Sequence, residues 1–441
     1  MAGAARRQPA EQSLNADTMN HFYYKENHLF CEETPVQEIA EEFGTPLFLY
    51  SKQQLIENFR TIDGAFAGVD HVTCYALKAN SNHHLLKVLA EEGSGADAVS
   101  AGEIHLALKA GFDPQTIAFA GVGKRDDEIE YALNQNIYSF NVESLQELDV
   151  INEIAGRMKK KARIALRINP DIDASTHPYI STGLKTNKFG IDITVAHDAF
   201  TYASSLPNLI VDGIHTHIGS QILKIDPFVE TAKTVAALVS ELRGMGIDIR
   251  HIDFGGGFGV QYKNAIKETL LPLEDTTAAD EAPSLETFIT SVLPVLKGAG
   301  CKLFIEPGRS IVADTGMLVT KVLYRKDNGG KNFVIVDAAM TDLLRPSLYQ
   351  AYHQIVPLTL NTNEPESVDV VGPVCETGDF LARERMIQHV ERGEHLAVLT
   401  AGAYGIALSS NYNARPKAAE IMVNGEKVRV IREREKIENL I

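Results

Sequence analysis

The 441-residue chain is short of positive charge, short of cysteine, and without a long apolar run. Lysine and arginine number 42 against 58 acidic residues, giving a formal net charge of −16. That deficit argues against sequence-independent binding to nucleic acid or to an anionic membrane, since both need clustered cations. It leaves room for a locally basic pocket. The four cysteines, Cys31, Cys74, Cys301 and Cys375, are scattered with no C-x-x-C pair, which speaks against a disulfide framework or a zinc site. No stretch approaches the roughly 18 apolar residues of a membrane span. The first twenty residues lack the apolar core of a secretory signal, and Glu11 and Asp17 weigh against a transit peptide. They read as a disordered tail on a cytoplasmic protein.

What is present is the composition of an ordinary globular protein, 44% apolar and 23% charged. The length suits two domains, one with room for a barrel of about 250 residues. Eight β-rich apolar runs lie at 72–76, 96–99, 117–120, 138–142, 161–168, 211–217, 249–254 and 302–305. Helical stretches fall between them, among them 82–92, 100–110 and 227–244, each ending at or near a glycine. Such alternation is the pattern of a parallel sheet, and eight strands favour a closed (β/α)8 barrel over an open doubly wound one. Beyond it the runs 333–336, 367–371, 395–399, 419–423 and 427–431 read as strands, with Asn424-Gly425 as a hairpin turn. Residues 28–31 and 46–50 also look β. The expectation is an α/β fold, a TIM-like barrel plus a second, all-β domain built from both chain ends. Its parts are a tail (1–20), N-terminal strands of the β domain (21–52), the barrel (53–312) and the C-terminal β domain (313–441). The acidic segment 271–284 reads as an exposed loop insertion.

Several segments carry chemistry-bearing residues. Tyr75-Ala76-Leu77-Lys78-Ala79-Asn80 ends the first run, placing Lys78 at the strand's C-terminal mouth, where barrel active sites form. Burial there would depress its pKa and leave an amine able to condense with a carbonyl carbon. Taken alone, it fits equally a strand-end lysine reaching to water. Gly213 to Gln221 (GIHTHIGSQ) ends the sixth run, and His215 and His217 alternate onto one face, as metal ligands or core residues can. No carboxylate or cysteine nearby in sequence completes a metal set, so no metal is expected. Gly255-Gly256-Gly257 follows the seventh run. Glycines let a backbone approach a phosphate closely, although the loop has neither Walker nor Rossmann spacing. Glu306-Pro307-Gly308-Arg309 ends the eighth run, and alone could be a surface ion pair. Asp342 to Tyr349 (DLLRPSLY), Gly372 to Asp379 (GPVCETGD) and Gly402-Ala403-Tyr404-Gly405 lie in the β region.

In this order, the set resembles the pyridoxal-phosphate-dependent decarboxylases of the alanine-racemase-like barrel class (fold type III), most specifically the diaminopimelate decarboxylases. The resemblance runs from about residue 46 to 412, and residues 177–183 (HPYISTG) look specific to that family. It implies pyridoxal 5′-phosphate on Lys78, with His217 stacked on its ring. Ser220, Gly255, Gly256, Gly257 and Tyr404 then serve the phosphate, and Glu306, Pro307, Gly308 and Arg309 line the cofactor. Glu306 would keep the pyridine nitrogen protonated. Arg309, Arg345, Tyr349, Glu376 and Tyr404 are the implied substrate contacts, with Cys375 the acid that protonates the reacting carbon. The implied reaction is decarboxylation of meso-2,6-diaminopimelate to L-lysine, with Lys78, Cys375, His217 and Glu306 catalytic. The segment bearing Cys375 and Glu376 is the one family members donate across a dimer, which implies a homodimer with shared sites. Alternatives on the same scaffold are an ornithine- or arginine-type decarboxylase, a racemase, or a catalytically silent regulatory homologue. Paired arginines, suited to a distal carboxylate, and the joint presence of Lys78, Glu306 and Cys375 favour the first reading.

Overall fold

The computed structural model describes residues 21–174, 182–183, 187–267, 269 and 281–440. The run that carries the lysine motif forms a strand, His71–Ala76, paired in parallel with Gly95–Ala98 on one side and Lys302–Ile305 on the other. Ile117–Phe119, Ser139–Val142, Ala162–Asn169, Leu209–His215 and His251–Asp253 continue the circle. It closes because Ser139–Val142 pairs with Ala162–Asn169, so the eight strands form a barrel without a free edge. All eight expected runs are strands, displaced by at most a few residues at their ends. Being buried on both faces, they carry continuous apolar or small residues rather than an alternating pattern.

Helices wrap the barrel for reasons visible in their ends. Ala101–Ala110 starts on Ser100, whose hydroxyl accepts from the Glu103 N–H, and stops at Gly111 in the left-handed region (φ 106°). His83–Glu91 starts on Asn82 and buries Leu85, Leu86, Val88 and Leu89. Each such side chain contributes about 1.5–3 kcal/mol of apolar burial. After the last strand only a four-residue helical turn, Arg309–Val312, follows. The remaining place in the outer ring is taken by Lys52–Ala65, which precedes the first strand and packs on the helix Leu285–Gly298.

The all-β domain is built from both chain ends. Leu47–Ser51, fully buried, lies between Gly316–Asn328, antiparallel to it, and Ala419–Asn424, parallel to it. Residues 28–31 pair instead within a three-stranded sheet, Phe22–Lys25, His28–Cys31 and Thr34–Pro35, which meets the larger sheet's domain through a bridge from His28 to Thr359. The last two strands are a hairpin whose closing pair is Asn424 and Lys427. The loop is therefore Gly425-Glu426, one residue later than expected, and Gly425 supplies the positive φ of 65°. The tail 1–20 and residues 271–280 of the acidic insertion lie outside the described residues, as do 177–181 of the 177–183 segment.

Candidate active site

The barrel's C-terminal mouth and the β domain enclose a cavity of about 340 Å³. Lys78 enters it from a single 3-10 turn, Leu77–Ala79, directly after the first strand. Its Nζ donates to Asp97 Oδ2 at 2.6 Å, and Asp97, the penultimate residue of the second strand, is fully buried. Burial alone would lower the lysine pKa, as the sequence suggested. The structure reverses that expectation: the carboxylates of Asp97 and Glu306 outweigh burial and raise it well above the ordinary lysine value. Lys78 is therefore held as an ammonium. The other oxygen of Asp97 is buried without a hydrogen-bond partner.

Glu306, at the end of the eighth strand, is 5% exposed and faces the same cavity. Asn141 Nδ2 donates to its Oε1 at 3.3 Å, and His215 Nε2 stands 3.3 Å from Oε2. Asp253, also buried, accepts from the same Asn141 Nδ2 at 2.8 Å. Burial raises both acids, with the Glu306 charge adding to it at Asp253, which reaches about 7, and the Asp97 charge adding to it at Glu306. Burial lowers His215 to about 4, so that imidazole is neutral near pH 7. His215, Asp253 and Glu306 have a grouping that could hold a metal ion. Three separate strand ends supply the members, so no contiguous motif carries the grouping.

The sixth strand stops at His215, and His217 lies two residues beyond, lining the cavity. Its Nδ1 accepts from the Gly256 N–H at 3.1 Å. Burial, then the Arg167 and Lys78 cations, hold it well below the ordinary histidine range. His217 is thus an uncharged ring with its proton on Nε2. Gly255, Gly256 and Gly257 are required sterically. A Cβ on Gly256 would meet the Glu306 carbonyl oxygen at 2.1 Å, and on Gly255 the Thr216 oxygen at 2.4 Å. Gly257 lines the cavity, while Gly255, Gly256 and Pro307 stand behind it and Gly308 lines its wall.

Two further cations, Arg309 and Arg345, line the cavity. Arg309, 7% exposed, donates to Ser220 Oγ at 2.9 Å and to the Tyr262 hydroxyl at 2.7 Å. Arg345, 6% exposed, donates to His353 Nε2 at 2.8 Å. Among the described residues no carboxylate lies within ion-pair distance of either guanidinium. Tyr349 and Tyr404 also line the cavity, with the Arg309 guanidinium 4.9 Å from the Tyr404 ring centre. Cys375 and Glu376 are not brought in. Both are exposed on the turn between Pro365–Val371 and Phe380–Gln388, where Asn413 accepts from the Cys375 N–H at 3.1 Å. Asp97, Arg167, Asn141, Tyr262 and His353 were missed by sequence reasoning. Each stands outside the recognisable motifs, although Asp97, a lone acid inside an apolar strand, was a usable signal.

Comparison with known proteins decides the family. Residues 52–313 match the pyridoxal-dependent decarboxylase, pyridoxal binding domain. A diaminopimelate decarboxylase of Aquifex aeolicus is 49% identical over 418 residues, covering 95% of this chain and 96% of that protein. The chain belongs to the diaminopimelate decarboxylases. Solved diaminopimelate decarboxylases agree. That of Helicobacter pylori, complexed with L-lysine, superimposes with a TM-score of 0.85 at 45% identity, covering 92% of this chain and 98% of that one. That of M. jannaschii, also with L-lysine, gives 0.88 at 36% identity and 96% coverage of both. A lysine/ornithine decarboxylase of Vibrio vulnificus, 21% identical with a TM-score of 0.76, shares the fold. The barrel plus β domain expected from sequence is thus the architecture of a diaminopimelate decarboxylase.

Proposed function

We propose that this chain decarboxylates meso-2,6-diaminopimelate to L-lysine and carbon dioxide with pyridoxal phosphate, the last step of lysine biosynthesis. The observation that carries the choice of substrate is the pair of buried guanidiniums, Arg309 and Arg345, opening on the same cavity as Lys78 Nζ. A diamine-forming decarboxylase has no distal carboxylate to pair with them; diaminopimelate keeps one after losing the other.

The residues fit pyridoxal phosphate. A lysine amine opens on the cavity, an acid faces it from the neighbouring strand end, and a glycine loop with no room for a Cβ follows the next strand along. When bound, the cofactor supplies a pyridinium electron sink for the charge left as the α-carboxylate departs. Lys78 holds it through Nζ, and Asp97 keeps that amine in place. Glu306, its pKa raised by burial, can share a proton with the pyridine nitrogen while Asn141 and His215 fix its orientation. His217 contributes an uncharged ring wall. Ser220 and the amide of Gly257 offer donors to a phosphate, while the Gly255 and Gly256 amides are committed to Asp253 Oδ1 and His217 Nδ1 and hold the loop in shape. Arg309, Arg345, Tyr349 and Tyr404 orient the substrate, and burial keeps water from competing for the carboxylate.

Cys375 returns the proton to the substrate's α-carbon, and Glu376 holds the distal amine, each supplied by a second copy of the chain. Their exposure outside the cavity suits that donation, so the active form is a homodimer. Four free cysteines suit a reducing cytoplasm. The test is carbon dioxide release from protein loaded with pyridoxal phosphate, comparing meso-diaminopimelate with L-ornithine, L-arginine and L-lysine. Release from diaminopimelate alone, with lysine as product, is expected. Preference for ornithine or arginine would overturn the substrate while keeping the cofactor.

A further inference from the structure

Two like-charged guanidiniums sharing a buried cavity repel each other, and among the described residues no carboxylate offsets them. What holds them is neutral. Tyr262, 8% exposed, accepts from Arg309 through its hydroxyl, and its ring centre lies 4.5 Å from the Arg345 guanidinium carbon. His353, fully buried, packs edge-on against the same Tyr262 ring at 5.1 Å. Its Nδ1 lies 2.9 Å from the Leu399 carbonyl oxygen, which can only accept, so Nδ1 carries the proton. Its Nε2 lies 2.8 Å from Arg345 Nη1, which can only donate, so Nε2 accepts. Both contacts require one tautomer of an uncharged imidazole. Burial and the adjacent Arg345 hold the ring well below the ordinary histidine range, in accord with that geometry.

Resting on the decarboxylation reading, we infer that His353 is a positioning residue for substrate discrimination. It fixes the Arg345 fork so that its remaining N–H donors meet the carboxylate that survives the reaction, and so sets the preference for a distal carboxylate. A guanidinium is a planar array of donors whose selectivity depends on aim. One N–H committed to a fixed acceptor removes the rotational freedom that a long side chain otherwise keeps. The receptor also spans the two domains, Tyr262 following the barrel's glycine loop while Arg345, His353 and Leu399 belong to the β domain.

The test uses holoenzyme and two ligands that differ only in that carboxylate, L-lysine and pentane-1,5-diamine. Their affinities are measured by titration calorimetry, alongside KM and kcat for diaminopimelate. His353→Phe keeps a ring against Tyr262 but removes the acceptor. His353→Gln keeps an acceptor for Arg345 and a donor for Leu399. The Phe variant is expected to bind lysine at least tenfold more weakly and the diamine within twofold of wild type, with KM raised far more than kcat is lowered. The Gln variant is expected to recover most of the lysine preference. Equal weakening of both ligands in His353→Phe, or no weakening, would overturn the inference. If the Phe variant does not fold, the Gln variant decides alone, since a collapsed lysine-to-diamine ratio there overturns it and a retained ratio supports it. Failure of wild-type protein to act on diaminopimelate would remove the decarboxylation reading itself, a result distinct from any change confined to the variants.

Discussion

The glycine loop packs its backbone against the end of the eighth strand with no space for a side chain. A Cβ at position 256 would stand 2.1 Å from the Glu306 carbonyl oxygen and 2.8 Å from its carbon, where ordinary contact begins at 3.4 Å. Neither neighbour is a flexible side chain, so Gly256→Ala must open the gap between the seventh and eighth strand ends by roughly 1 Å. Overpacking of this kind costs about 1–3 kcal/mol of stability. The functional cost is larger. The displaced backbone carries Glu306, and the Gly256 N–H is the donor that fixes the His217 ring. Displacement of catalytic groups by about 1 Å reduces turnover by about 100-fold. The expected result is kcat for diaminopimelate lowered on that scale, in protein still folded by circular dichroism, with weakened pyridoxal phosphate binding by absorbance titration. Gly68→Ala, which meets nothing within 4 Å, serves as the control and is expected to match wild type. Wild-type kcat and thermal midpoint in Gly256→Ala would refute the steric reasoning.

Asp97→Asn removes the nearest negative charge holding the Lys78 ammonium, so the amine pKa should fall; competitive labelling of apoprotein with acetic anhydride across pH should show Lys78 reacting at lower pH than in wild type. Asp253 and Glu306 have raised pKa values in the fold, so they bind protons more tightly there than in the unfolded chain. Their contribution to apoprotein stability is therefore present below the unfolded carboxylate pKa of about 4, and is lost as pH rises towards about 7. Glu306→Gln should flatten that decline in urea midpoints over the same interval; an unchanged slope would show that the pair does not titrate there. Mixing Lys78→Ala with Cys375→Ala protein should restore part of the activity if sites are shared, whereas silence despite demonstrated subunit exchange would place both residues in one chain's site.

The barrel was legible because its strands are short apolar runs closed by motif loops, and both signals are local. Several β strands were not, among them Phe22–Lys25, Ile355–Pro357, Gly316–Asn328 and Phe380–Gln388. Gly316–Asn328 changes character halfway, fully buried over its first five residues and largely exposed later, so no single periodicity runs through it. Phe380–Gln388 carries Arg383, Glu384 and Arg385 in succession, and Glu384 adopts a φ of 48° near an irregularity in register with Pro365–Val371. A bulge of that sort breaks the alternation on which strand reading depends. The site divided the same way. Lys78, His217, Glu306 and Arg309 stand inside contiguous motifs. Tyr262 and His353 meet only because two domains fold against each other. The direction of the Lys78 shift was misjudged for a related reason: burial can be read from a strand end, but Asp97 and Glu306 arrive from other strands.

Leu47–Ser51 has its register partners in Gly316–Asn328 and Ala419–Asn424, so more than half of the chain separates it from either neighbour. At a ribosomal rate of about 5–20 residues per second, the last of those partners emerges roughly 20–75 s after the strand itself. Until Gly316–Asn328 emerges the nascent chain carries an apolar strand with two unsatisfied edges, and until Ala419–Asn424 emerges it keeps one, while the barrel between can already close. The segments bearing Arg345, His353 and Tyr404 are translated within the same interval. Substrate recognition is therefore the last property this protein acquires at birth, and premature termination upstream of Ala419 leaves a barrel attached to an open, adhesive sheet.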